Sequence, residues 1–207
     1  MTTLYFVRHG QTDYNLKGIV QGSGIDAPLN ATGIAQANAF FRAYSHLSFD
    51  AVYASTLQRT HQTLAPWIEA GYAFSQHPGL NEFNWGIHEG KVPTPEEHQS
   101  FLAILNRWQE GELEARVPEG ETPIDAWERA KTFFQDLPKR HPDQQLLLCT
   151  HGRQLRVILS NLLKVGMQNM EPYKHRNTGL TIVGLTENGQ ATLELLNDGT
   201  HLEALNV

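Results

Sequence analysis

Leu4-Tyr5-Phe6-Val7-Arg8-His9-Gly10 is the stretch on which the reading of this chain turns. Four consecutive apolar residues, aromatic and β-branched among them, are the pattern of a strand buried on both faces, and the basic pair with glycine that comes next is a turn signal. Open α/β sheets bind ligands at the carboxyl edge of their strands. An Arg and a His there place two phosphate-binding groups where a ligand would sit. Gly10 is expected to let the backbone approach a ligand closely or to turn with positive φ.

Outward from that strand, the same build recurs. Asp50-Ala51-Val52-Tyr53-Ala54 reads as a strand, with Ser55 as N-cap of a helix over about 56–69. Gln145-Leu146-Leu147-Leu148-Cys149 reads as another, ended by Thr150-His151-Gly152 and followed by a helix through about Leu163. A short strand is expected near 73–77 and helices over about 32–45, 96–109 and 122–137. Two closing strands, near 179–185 and 191–197, flank a turn at Glu187-Asn188-Gly189. Residues 10–30 and 78–95 read as loops long enough to carry function. Alternating strands and helices imply an α/β protein with a mostly parallel sheet covered on both faces, in one domain over 1–207.

Composition narrows the partners. With 40% hydrophobic and 18% charged residues the chain has an ordinary globular make-up. A net charge of −6 with no basic stripe argues against nucleic acid, while a few local Arg and His residues still permit a small anionic substrate. One cysteine, Cys149, rules out an internal disulfide framework and favours a cytosolic place. Neither a signal peptide nor a membrane-spanning run is read. Oligomeric state is open at this level.

Four stretches carry chemistry: Arg8-His9-Gly10-Gln11-Thr12 with Asn15 and Gln21-Gly22 behind it; Ser55-Thr56-Leu57-Gln58-Arg59-Thr60; Leu80-Asn81-Glu82 with Gly86 and Glu89-Gly90; and Thr150-His151-Gly152. Two Arg, two His and a carboxylate converging on one site suit phosphoryl transfer. Arginines offer fixed donor forks to phosphate oxygens, a neutral imidazole can attack phosphorus, and a carboxyl group can move a proton to the leaving oxygen.

In their order and spacing, these stretches resemble the histidine phosphatase superfamily, which includes the cofactor-dependent phosphoglycerate mutases. The likeness also takes in Asp26-Ala27-Pro28-Leu29, Pro118-Glu119-Gly120-Glu121-Thr122, Leu155-Arg156, Asn177, and Asn197-Asp198 with His201-Leu202. It implies a phosphoglycerate mutase-like three-layer α/β/α sandwich and a phosphatase that needs no metal and no cofactor. By the same resemblance His9 is the nucleophile, and Arg8, Arg59 and His151 are phosphate ligands. Glu82 is the proton donor and later acceptor. Asn15, Gln21 and the Gly152 backbone add contacts at the rim.

Members often carry an Arg where this chain has Ile19, and the segment after Gly90 is compact. Both features favour hydrolysis over the mutase alternative, and the missing rim cation counts against substrates with a second anionic group. The remaining alternative is a non-catalytic module that binds a phosphorylated ligand. Glu89 is expected to be structural. Trp67, Trp108 and Trp127 read as core, and Trp85 is the one aromatic expected beside a substrate.

Overall fold

Residues 1–205 are described by the computed structural model, whose centre is a six-stranded sheet in the order β3-β2-β4-β1-β5-β6. The strands are β1 (Thr2–Arg8), β2 (Ala51–Ala54), β3 (Phe74–Gln76), β4 (Gln145–Thr150), β5 (Leu180–Leu185) and β6 (Ala191–Asp198). β1, β2, β3 and β4 run parallel, and β5 and β6 are antiparallel additions on the β1 side.

The continuous apolar runs of β1 and β4 are explained by burial on both faces. Leu4, Phe6, Leu146 and Leu148 point into one core with Phe134, Leu137 and Leu155. Val7, Leu147 and Cys149, one residue out of phase, point into the other with Phe40 and Trp67. The period of two thus feeds two hydrophobic layers.

The helices are α1 (Asp13–Leu16), α2 (Ala31–Tyr44), α3 (Gln58–Glu69), α4 (Pro95–Gln109), α5 (Pro123–Arg140) and α6 (Gly152–Leu162). α4 and α5 start with full capping boxes, Thr94 with Glu97 and Thr122 with Asp125, each followed by proline at the first helical position. α5 runs three residues beyond the expected stop, continuing through Pro138, which forgoes one helical bond because it has no N–H to donate. α1 interrupts the expected 10–30 loop. Its Thr12–Asn15 capping box is built from residues that also compose turns.

Two local expectations are corrected. α3 begins at Gln58 with Leu57 as its cap and no side-chain cap bond, so Ser55 is not the N-cap; its hydroxyl is used elsewhere. Gly10 serves a close approach, but to protein: a Cβ there would lie 2.6 Å from the Gly33 carbonyl oxygen at the start of α2.

A third apolar cluster, with Phe83, Trp85, Trp108, Val157 and Met170, packs beneath α4. Among the described residues no helix is long and apolar enough to cross a membrane.

Candidate active site

Strand order sets the site. β4 lies between β2 and β1, so the segment leaving the end of β4 emerges between the segments leaving the other two. His151 comes directly after β4, Arg59 lies in the first turn of the helix after β2, and Arg8-His9 ends β1. β1 and β4 are also where the chain's connections diverge to opposite sides of the sheet, the crevice where such folds bind ligands.

His9 is fastened through its backbone. Its N–H donates to the Thr150 carbonyl at 3.0 Å, and its carbonyl accepts from Asn177 Nδ2 at 2.9 Å. Its ring Nδ1 lies 2.7 Å from the Gly10 carbonyl, which can only accept, so Nδ1 carries the hydrogen and Nε2 presents a lone pair. Burial, then the charges of Arg59 and Arg8, holds the imidazole pKa well below its usual value. The ring is therefore neutral at physiological pH.

The His151 ring lies 5.1 Å from the His9 ring, centroid to centroid. Arg59 Nε donates to His151 Nδ1 at 3.1 Å, so that nitrogen is an acceptor and Nε2 carries the proton. Nε2 donates to Ser55 Oγ at 2.8 Å. Ser55 Oγ also accepts from the Leu57 N–H and donates to Thr60, whose hydroxyl donates to the Leu57 carbonyl at 2.8 Å. Every hydrogen in this chain has one consistent direction. Both nitrogens of His151 are thus engaged within the protein, and the ring holds Arg59 in place.

Arg59 and His151 are fully buried. The guanidinium also donates to the carbonyls of Ile25 at 2.7 Å and Gly22 at 3.2 Å. Burial lowers its pKa to about 10, so it stays cationic at neutral pH.

Arg8 Nη1 donates to the His175 carbonyl at 2.7 Å. His175 is itself neutral: its pKa falls to about 4 through burial, while its ring bridges Tyr173 and Thr181. Arg8 Nε is buried with no partner. Gln21 is in the same position: its Oε1 accepts from Thr12 Oγ1 at 2.8 Å, and its buried Nε2 has nothing to donate to. Asn15 is tied by Oδ1 to Asn177 and to the Thr12 N–H.

Glu82 is 8% exposed. One carboxylate oxygen accepts from the N–H groups of Phe83 at 2.8 Å and Gln154 at 2.9 Å, and the other from Arg153 N–H at 3.3 Å. It thereby caps α6, which has no side-chain cap of its own. Its loop is held by Arg129 of α5, which donates to the carbonyls of Asn81 at 2.8 Å and Glu82 at 3.2 Å. Glu89 takes the expected structural part, accepting from Trp85 N–H and Gly24 N–H, both at 2.9 Å.

Arg8, His9, Asn15, Gln21, Glu82, Trp85 and Gly152 line one cleft of about 200 Å³. Arg59 and His151, expected as phosphate ligands, do not line it: the three guanidinium nitrogens of Arg59 and both ring nitrogens of His151 are bonded within the protein, with the His151 ring packed against that of His9. Ile19 is not there. It lines a neighbouring hollow with Lys17 and Gly90. Arg153, Arg156 and Phe101 also line the cleft, and the sequence reading assigned them no role. Two arginines three apart directly after His151-Gly152 share a face of α6, which was the available signal.

A family model described as the histidine phosphatase superfamily (branch 1) matches residues 4–199. A Hydrogenobacter thermophilus protein named as a phosphoserine phosphatase is 29% identical, over 99% of this chain and 100% of its own length. A Yersinia pestis protein named as a phosphoglycerate mutase is 30% identical, over 98% of this chain and 96% of its own length. The crystal structure of phosphoserine phosphatase from Entamoeba histolytica in complex with 3-phosphoglyceric acid superposes with a TM-score of 0.84 at 26% identity, covering 98% of this chain and all of that one.

Proposed function

The chain belongs to the histidine phosphatase superfamily, branch 1, and from that membership we propose that it hydrolyses a small phosphate monoester by way of a phosphohistidine on His9. The observation that carries the reading is the pair of buried, unpartnered donors, Arg8 Nε and Gln21 Nε2, in the cleft that His9 lines. A buried donor without an acceptor costs about 1–3 kcal/mol. Phosphoryl oxygens are the acceptors that fit two such donors beside an imidazole lone pair.

The transferred group spreads negative charge over its equatorial oxygens, so catalysis is chiefly positioning and electrostatics. Arg8 and Arg59 supply the positive field. His151 acts through Arg59, which it orients, and backs the attacking ring. His9 Nε2 attacks phosphorus while its Nδ1–H stays on the Gly10 carbonyl, which stabilises the positive charge that develops on the ring. Glu82 protonates the departing alkoxide oxygen. Water then attacks the phosphohistidine, with Glu82 as carboxylate accepting its proton. Inorganic phosphate leaves, and His9 returns to its neutral form.

The substrate is small, because the cleft falls below the range of ordinary ligand pockets. The cytosol is the compartment that suits a lone cysteine buried in the sheet.

The test is a phosphoester panel with chelator present, comparing the parent with His9→Ala. We expect release of phosphate by the parent and its loss in the variant. Hydrolysis retained by His9→Ala would overturn the reading. Transfer of the phosphoryl group between phosphoglycerates, in preference to water, would make the protein a mutase.

A further inference from the structure

The acid of the proposed reaction is held by a frame that lies outside the cleft. Glu82 ends a tight stretch in which every carbonyl from Pro78 to Glu82 accepts a side-chain hydrogen bond. Thr150 Oγ1 donates to the Leu80 carbonyl at 2.7 Å. The guanidinium of Arg129 serves the rest: Pro78 at 3.0 Å, Gly79 at 3.1 Å, Asn81 at 2.8 Å and Glu82 at 3.2 Å. Carbonyl oxygens that converge on one point repel one another unless a cation sits there, so the path of this turn depends on Arg129.

The frame closes on itself through Gln154, which has no exposed surface and lies in the first turn of α6. Its main-chain N–H donates to the Glu82 carboxylate at 2.9 Å, and its side-chain Oε1 accepts from Arg129 Nη2 at 2.8 Å. Its Nε2 donates to the Gly79 carbonyl at 2.9 Å. On the other side of Glu82, Glu121 accepts from Arg129 Nε at 3.2 Å and Nη2 at 3.0 Å, and from the Asn84 N–H at 2.9 Å. The start of α6 is fixed independently, since Arg153 pairs with Glu171 and lies 5.5 and 5.6 Å from the indole rings of Trp85 and Trp108. Arg129 does not line the cleft. It comes from α5 and faces a separate groove with His77 and Phe133, out of reach of a substrate at His9.

We propose that Arg129, coupled to Gln154, is the positioning residue of the acid: it templates the 78–82 turn so that the Glu82 carboxyl meets the leaving oxygen, and it takes no part in holding the phosphoryl group. The inference rests on the reading of Glu82 as proton donor in a phosphatase. A reacting group displaced by about 1 Å costs about 10²-fold. In kcat/KM, loss of the frame is therefore felt only where the leaving group must be protonated.

The experiment measures kcat/KM for the best alkyl phosphate of the panel and for p-nitrophenyl phosphate, in the parent, Glu82→Gln, Arg129→Gln and the double variant. Arg129→Gln should lower the alkyl value by about 10- to 100-fold and the p-nitrophenyl value by about twofold or less. In the Glu82→Gln background the same substitution should cost a further twofold or less, roughly, because a frame without its acid has nothing left to aim. Gln154→Met keeps the main-chain donor to Glu82 and cuts the link to Arg129. It should show the same ester-selective loss at about 10-fold, and it decides the matter if Arg129→Gln does not fold. Equal losses on both esters in the folded variant, or an undiminished further loss in the double variant, overturn the positioning role and leave the phosphatase reading standing. Equal losses on both esters for Glu82→Gln overturn the acid reading and this inference with it. A parent inert toward every phosphoester overturns the phosphatase reading itself.

Discussion

The two ends of the cleft are built differently. At the phosphoryl end, His9, Arg59 and His151 sit at or just beyond the ends of three neighbouring parallel strands, and the fastening is mostly to backbone: Thr150, Gly10, Gly22 and Ile25. Arg59 and His151 have no exposed surface. At the leaving-group end, Arg153, Arg156, Trp85 and Phe101 are long side chains from a helix, a loop and α4. Of the residues of α4, only Trp108 is buried. On the proposed reading, chemistry is anchored in the sheet, and discrimination is hung on elements beside it. Such a division lets the second end change without disturbing the first.

If that division holds, the two ends should fail in different ways. Arg59→Lys should lower kcat by about 10²–10³-fold for every ester, activated or not, because a lysine cannot reproduce a fork held by His151, Gly22 and Ile25. Glu82→Gln should lower kcat/KM, which reports formation of the phosphohistidine and not its hydrolysis, by about 10²-fold with an alkyl phosphate and far less with p-nitrophenyl phosphate, whose leaving group needs no proton. Parallel measurements with both esters check the pair. Equal losses on the two esters for Glu82→Gln would dissolve the distinction.

A smaller effect concerns stability and sharpens the picture of the phosphoryl end. His175, whose carbonyl holds Arg8, has a folded pKa of about 4, against 6.5 when unfolded. Between those values the unfolded chain binds the extra proton. The stabilisation is therefore complete above about pH 6.5 and is lost as pH falls toward 4. From pH 7.5 to pH 5 the loss from this residue is about 2 kcal/mol. Urea unfolding at the two pH values should show His175→Gln less acid-sensitive than the parent by about that amount. His9 and His151, also held well below their usual pKa, push in the same direction.

The same division explains what could be read from sequence. The phosphoryl end was legible because its residues come after unmistakable apolar runs, Leu4–Val7 and Gln145–Cys149, and such runs end at the ligand edge of a parallel sheet. Ser55 reads as a helix cap from sequence alone, since serine after a strand suits that task. Its actual bond, to His151, joins residues 96 apart in the chain. The acceptor pattern that makes Glu82 the cap of α6 is likewise invisible until residues 82 and 154 are brought together. Arg153 and Arg156 were in plain sight. Only the fold shows that Glu171 and two indoles hold them against the cleft.

Hydrolysis by this route requires a covalent bond between His9 and phosphorus, and the direct measurement is to trap it. The parent, mixed with a phosphate monoester labelled in its phosphoryl group and quenched in alkali during turnover, should carry label on the peptide containing His9, and His9→Ala should carry none. Turnover by the parent with no label on that peptide, or with label on a different residue, would contradict the mechanism at its centre.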